Sequence, residues 1–130
     1  MEINFSAVQA IGTELQSYDK EAMGSQSIAH LSDLGFRLAG WVEFTGQEAI
    51  KAEKFLMDER GRIRESLRSS AFTPTMIKDI QNEKTSQHKY VMESIKQTND
   101  SAKRTLDFLR SCISALKSEI NANMYHSNQR

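Results

Sequence analysis

The chain has 130 residues, a length that fits one domain, with 38% apolar and 26% charged side chains. That apolar share is low for a compact sphere and suits an elongated shape, which leaves more of each helix in water. Its 17 basic and 17 acidic residues cancel, which argues against a general binder of nucleic acid or anionic membrane, since such proteins carry a basic excess.

The charge is nonetheless uneven. Residues 1–44 hold two bases against six acids, a net of −4; residues 45–72 hold six against five, a net of +1; residues 73–130 hold nine against six, a net of +3. An acidic head and a basic tail hint at head-to-tail pairing, within one chain or between copies. The single cysteine, Cys112, excludes an intramolecular disulfide. No run approaches the roughly 20 apolar residues of a membrane-spanning helix. The start, Met1-Glu2-Ile3-Asn4-Phe5, lacks the basic and apolar segments of a cleaved signal. The expectation is a protein that is cytoplasmic at synthesis, with signal-independent export left open.

The first element spans residues 5–23, where Phe5, Val8, Ile11, Leu15, Tyr18 and Ala22 recur at helical steps of three and four. Asn4 or Ser6 would cap it, and Gly24-Ser25 marks a stop or hinge. The second covers 27–44, with Ile28, Leu31, Leu34, Leu38, Trp41 and Val42 on one face. Thr45-Gly46-Gln47-Glu48 has the form of a capping box. It would open a third helix, 46–69, striped by Ala49, Ala52, Leu56, Ile63 and Leu67. The same residues, 27–69, also suit one long helix with an irregularity between Gly40 and Gly46.

Ser69 to Pro74 is the clearest break. Thr73 suits an N-cap and Pro74 the first helical position, where a missing N–H does no harm. From there to about Ala122 no residue breaks a helix, a length of about 70 Å at 1.5 Å per residue. Its seam runs Ile77, Ile80, Lys84, His88, Val91, Ile95, Thr98, Ala102, Leu106, Leu109, Ile113, Leu116 and Ile120, with the alternating steps of a coiled coil. Polar positions in the middle weaken such a seam but fix its register. The tail, 123–130, is polar and expected to fray. A helix this long needs partners for its seam. The 46–69 helix is the nearest, which gives an antiparallel hairpin. The architecture expected is a single all-α domain over 1–130: an elongated antiparallel hairpin with coiled-coil-like packing and the N-terminal helices folded alongside. The unequal helix lengths leave seam over for the N-terminus, a second copy or a foreign helix.

Candidate sites follow from these faces. The expected interaction residues are Trp41 and Phe44, from an aromatic cluster with Phe36, and the seam residues Val91, Ile95, Leu106, Leu109, Ile113 and Leu116. Arg60, Arg64 and Arg68 recur every four residues on one helix face and would grip phosphates or an acidic partner. Glu59 and Glu65 interleave with them, which favours a solvated face of ion pairs. His30, His88 and His126 have no metal-ligand spacing, and Cys112 has neither a base nor a positive neighbourhood in sequence. No nucleotide-binding or catalytic motif is present. No enzyme, cofactor or metal is therefore expected. The leading expectation is a non-enzymatic protein-protein interaction or assembly protein, a homo-oligomer or the partner of another helical protein. A subunit or accessory of a secretion or injection apparatus, or a phage or plasmid accessory protein, fits this description. The alternative is a nucleic-acid accessory protein using Arg60, Arg64, Arg68 and the basic last helix.

Overall fold

A computed structural model describes residues 2–24 and 27–128, and the side chains of residues 2–18 and 27–125. It shows an all-α helical hairpin of four helices, with no strand among the described residues: α1 (Phe5–Gly24), α2 (Ile28–Ser66), α3 (Pro74–Lys84) and α4 (Ser86–Asn128). The hinge expected at Gly24-Ser25 lies partly outside the described residues.

Three caps mark where the chain turns into helix. Asn4 Oδ1 accepts from the Ala7 N–H at 3.2 Å, Ser27 Oγ from His30 N–H at 3.2 Å, and Thr73 Oγ1 from Met76 N–H at 3.3 Å. Each satisfies an amide that the first helical turn leaves without a partner. Pro74 follows Thr73 at the helix start, as expected.

Of the two readings of residues 27–69, the single long helix holds: α2 runs unbroken from Ile28 to Ser66. The Thr45–Glu48 capping box does not form. The Thr45 hydroxyl donates to the Trp41 carbonyl at 2.7 Å, a bond available only inside a helix. Glu48, buried, turns to another element, and its Oε2 accepts the Asn4 N–H at 3.0 Å. The motif's residues are thus used, but between helices.

The 74–122 helix is in turn divided at Thr85, where φ −105° and ψ 7° leave the helical well. Thr85 Oγ1 donates to the Gln81 carbonyl at 2.6 Å, the back-bonding that bends helices. Gln81 Nε2 donates across to the Arg60 carbonyl at 2.7 Å, which ties the bend to α2. At the other end α4 continues to Asn128, past the end at about Ala122 read from the sequence; Gln129 and Arg130 lie outside the described residues.

α2 and α4 run antiparallel. Gly35 lies against Leu109, Thr45 against Asn99 and Arg60 against Thr85, so facing residue numbers add to about 144. α1 packs along the middle of this pair on one side, with Gly12 against Thr98 and Tyr18 edge-on to Trp41. The core has two parts. Ile11, Leu15, Tyr18, Leu31, Leu34, Leu38, Ala102, Leu106 and Leu109 form one, and Val8, Ala49, Ala52 and Ile95 the other. Thr45 and Asn99 sit between them, both buried. Asn99 Nδ2 donates to the Thr45 hydroxyl and to the Val42 carbonyl, each at 2.9 Å. A buried amide held from both helices fixes one register, because any slip strands its polar atoms.

Candidate interaction surface

Most of the seam is spent inside the chain. Ile95, Leu106 and Leu109 are buried, with Leu109 only 1% exposed, and Val91, Ile113 and Leu116 are half-buried against the two core clusters. Trp41 and Phe44 are half-buried too, and both pack on the core. Tyr18, not Phe36, completes the aromatic contact, with ring centroids 5.1 Å apart, and Arg37 Nη1 donates to its hydroxyl at 3.3 Å. Within the chain, these residues hold α1 and α2 to α4.

The outer surface is more informative. On the side of the hairpin away from α1, Gly35, Ala39, Leu106, Leu109 and Ile113 line a groove of about 290 Å³ between α2 and α4. Gly35 opens it: a Cβ there would stand 3.4 Å from Leu109 Cδ2, so the glycine lets the helices approach and leaves no side chain over the gap. Phe36 stands at the rim, 79% exposed. Along α2 from Phe36, Ile50 and Met57 are 69% and 66% exposed. Their spacings of 14 and 7 residues place all three on one line of a helix packed with a seven-residue repeat. Along α4 the line Leu106, Ile113, Ile120 continues the groove wall, and Ile120 and Met124 are exposed. α2 starts at Ile28, opposite about residue 116, so the last 12 residues of α4 project about 18 Å past it. Burying a large apolar side chain is worth about 1.5–3 kcal/mol. Phe36, Ile50, Met57, Ile120 and Met124 forgo that gain within the chain. The sequence reading assigned Phe36 to the aromatic cluster. The seven-residue spacing with Ile50 and Met57, opposite Leu31 and Leu38, was the available signal.

No protein-family model matches the chain, and neither curated proteins nor solved structures show significant similarity to it.

The three arginines separate. Arg60 bonds Asn82 Oδ1 at 2.9 Å and Thr85 Oγ1 at 3.5 Å. Arg68 pairs with Glu65 at 3.3 Å in water, and neighbouring Arg62 pairs with Glu59 at 2.6 Å. Arg60 and Arg64 do converge with Lys78 on a cleft of about 610 Å³ between α2 and α3, whose lining holds no carboxylate. Arg68 does not line it. His88 sits edge-on to Phe55, with centroids 4.7 Å apart, and Cys112 packs on the main core. His30 is exposed and the side chain of His126 lies outside the described residues. Among the described residues no group of three or more His, Cys, Asp and Glu is placed to hold a metal ion, and no helix is long and apolar enough to cross a membrane.

Proposed function

We propose that the protein works by binding other helices, as a non-enzymatic interaction or assembly protein, through the face formed by α2 and the far part of α4. The observation that carries this reading is Phe36, standing in water beside an apolar groove and in line with Ile50 and Met57. An aromatic anchor that fills an apolar pocket when a partner docks is the usual anatomy of a binding hot spot. A role as subunit or accessory of a secretion or injection apparatus, or of a phage or plasmid, suits such a chain.

The test is the full-length protein, wild type against Phe36→Asp. Mass in solution and affinity capture from the native cells are the two measurements. The reading expects an assembly, with itself or with a helical protein, that the aspartate abolishes while helix content stays the same. A wild-type monomer that captures nothing the variant lacks overturns it. The nucleic-acid alternative rests on one observation, the acid-free cleft of Arg60, Arg64 and Lys78. Against it stand a zero net charge and the engagement of Arg60, Arg62 and Arg68 with the protein's own groups.

A further inference from the structure

We infer that the cleft between α2 and α3 binds a small phosphorylated molecule, whose phosphate sits among Arg60, Arg64 and Lys78 and whose ring or alkyl part lies on Pro74 and Ile77. Arg60 is about 36 Å along α2 from Phe36, so this site stands or falls apart from the helix-binding face.

The first observation is uncancelled charge. The two arginines and Lys78 line a cleft of about 610 Å³ that no carboxylate lines. Elsewhere the chain sets an acid three residues from a base: Lys51, Arg62, Arg68 and Arg110 each pair with one. No acidic residue stands three or four positions from Arg60, Arg64 or Lys78. The adjacent acids Glu59, Glu65 and Asp79 are turned about 100° or more around their helices. Arg60 and Arg64, four apart, are a like-charge pair that weakens a helix on its own. Among the described residues no side-chain partner holds Arg64 or Lys78. Three cations around one cleft raise the local potential, and an anion relieves it.

The second is that the donors are held ready. Arg60 is fixed by neutral acceptors, Asn82 Oδ1 at 2.9 Å and Thr85 Oγ1 at 3.5 Å, which orient the guanidinium and leave its charge whole. A guanidinium only donates, so Asn82 offers it oxygen and keeps Nδ2 as a further donor beside the cleft. Gln81, buried, donates to the Arg60 carbonyl at 2.7 Å and pins α3 to α2 next to these groups. Donors positioned in advance lose little freedom when a ligand arrives.

The third is the match in chemistry. A phosphate monoester carries about −1.5 to −2 charges at pH 7 and three acceptor oxygens. A carboxylate carries a single charge, which three cations exceed. Guanidinium forks also take phosphate oxygens in pairs. Pro74 and Ile77 add an apolar wall, against which bare phosphate has nothing to bury. The volume lies within the roughly 300–1,000 Å³ of small-molecule sites. A nucleic-acid strand needs a cationic track that continues past one cleft. The neighbouring Arg62 and Arg68 are instead paired with Glu59 and Glu65.

The test is calorimetric titration of the full-length protein with phenyl phosphate at about 20 mM salt, where screening is weak. The wild type is expected to bind one molecule per chain, several-fold tighter than inorganic phosphate. Arg64→Gln combined with Lys78→Gln, both exposed, should weaken binding at least tenfold with unchanged circular dichroism. Ile77→Ala should erase the preference for phenyl phosphate and leave the affinity for inorganic phosphate as it was. Arg62→Gln, off the cleft, should change neither. No binding of phenyl phosphate at about 5 mM, beyond any useful affinity for such a ligand, overturns the inference. So does binding that survives the double variant, equal affinity for phenyl and inorganic phosphate, or phenol bound as tightly as phenyl phosphate. A thymidine oligonucleotide bound more than tenfold tighter than phenyl phosphate, with a salt slope of several phosphates, overturns the small ligand in favour of a strand.

Discussion

At the scale of single residues, the fold turns on a few polar groups in apolar company. Asn99 has to point its Nδ2 at the Val42 carbonyl, because only a donor can face that oxygen. Asn99→Ala removes two hydrogen bonds and leaves the Thr45 hydroxyl with one fewer partner. Its expected cost is about 1–3 kcal/mol by urea unfolding, and Asn99→Asp should cost more, since a carboxylate there opposes a carbonyl. An aspartate variant as stable as the alanine one would show that this amide does not set the register. Glu48 belongs to the same class. With Oε2 on the Asn4 amide and Oε1 3.0 Å from Lys51 Nζ, it clamps the start of α1. Glu48→Ala should speed amide exchange over residues 5–11 more than elsewhere in the core. Leu109→Asp places an unpaired charge at a fully buried position and should abolish cooperative unfolding. The apolar members of this core were legible in sequence, since Val8, Leu38, Ile95 and Leu109 keep helical spacing. Asn99 and Thr105 were not, because nothing local distinguishes a buried polar residue from an exposed one.

At the scale of elements, the sequence leaves residues 27–69 open between two helices and one long helix, and α2 runs through both Gly40 and Gly46. Each glycine costs about 1 kcal/mol against alanine in a helix interior, a penalty that packing along nearly 40 residues overrides. The glycines differ in what surrounds them. A Cβ at Gly40 or Gly61 would meet nothing within 4 Å, whereas at Gly46 it would stand 3.5 Å from Asn99 Nδ2. Gly40→Ala and Gly61→Ala should each raise the unfolding free energy by about 0.5–1 kcal/mol. A lower urea midpoint for either would mean that its backbone is needed against a partner. Thr85 gave no warning of its break, because threonine is an ordinary helix residue. The Thr85 hydroxyl bends the chain by bonding back to the Gln81 carbonyl, and contacts of Thr85 and Gln81 with Arg60, 25 and 21 residues away, hold the bend against α2.

At the scale of the whole molecule, α1 lies only along the middle of the hairpin, so stability should fall toward both ends. Amide exchange is expected to be slowest over residues 31–56 and 91–109, and fast in α4 beyond residue 116 in dilute protein. Uniform protection to the end of α4 under monomeric conditions would contradict that gradient. The nucleic-acid alternative also belongs at this scale. It requires a mobility shift at about 50 mM salt that weakens steeply as salt rises. Amino-acid order by itself determined the all-α class, the apolar stripes, the cap at Thr73, and the antiparallel pairing of the two long segments. These follow from local spacing and from the need of an amphipathic helix to cover its stripe. Tertiary structure decided the rest. It showed that α1 takes one side of the seam, and that Trp41 and Leu109 face inward. It also showed that Phe36, Ile50 and Met57 stay in water. Periodicity says which residues share a face, but only the packing of three helices says which faces are already covered.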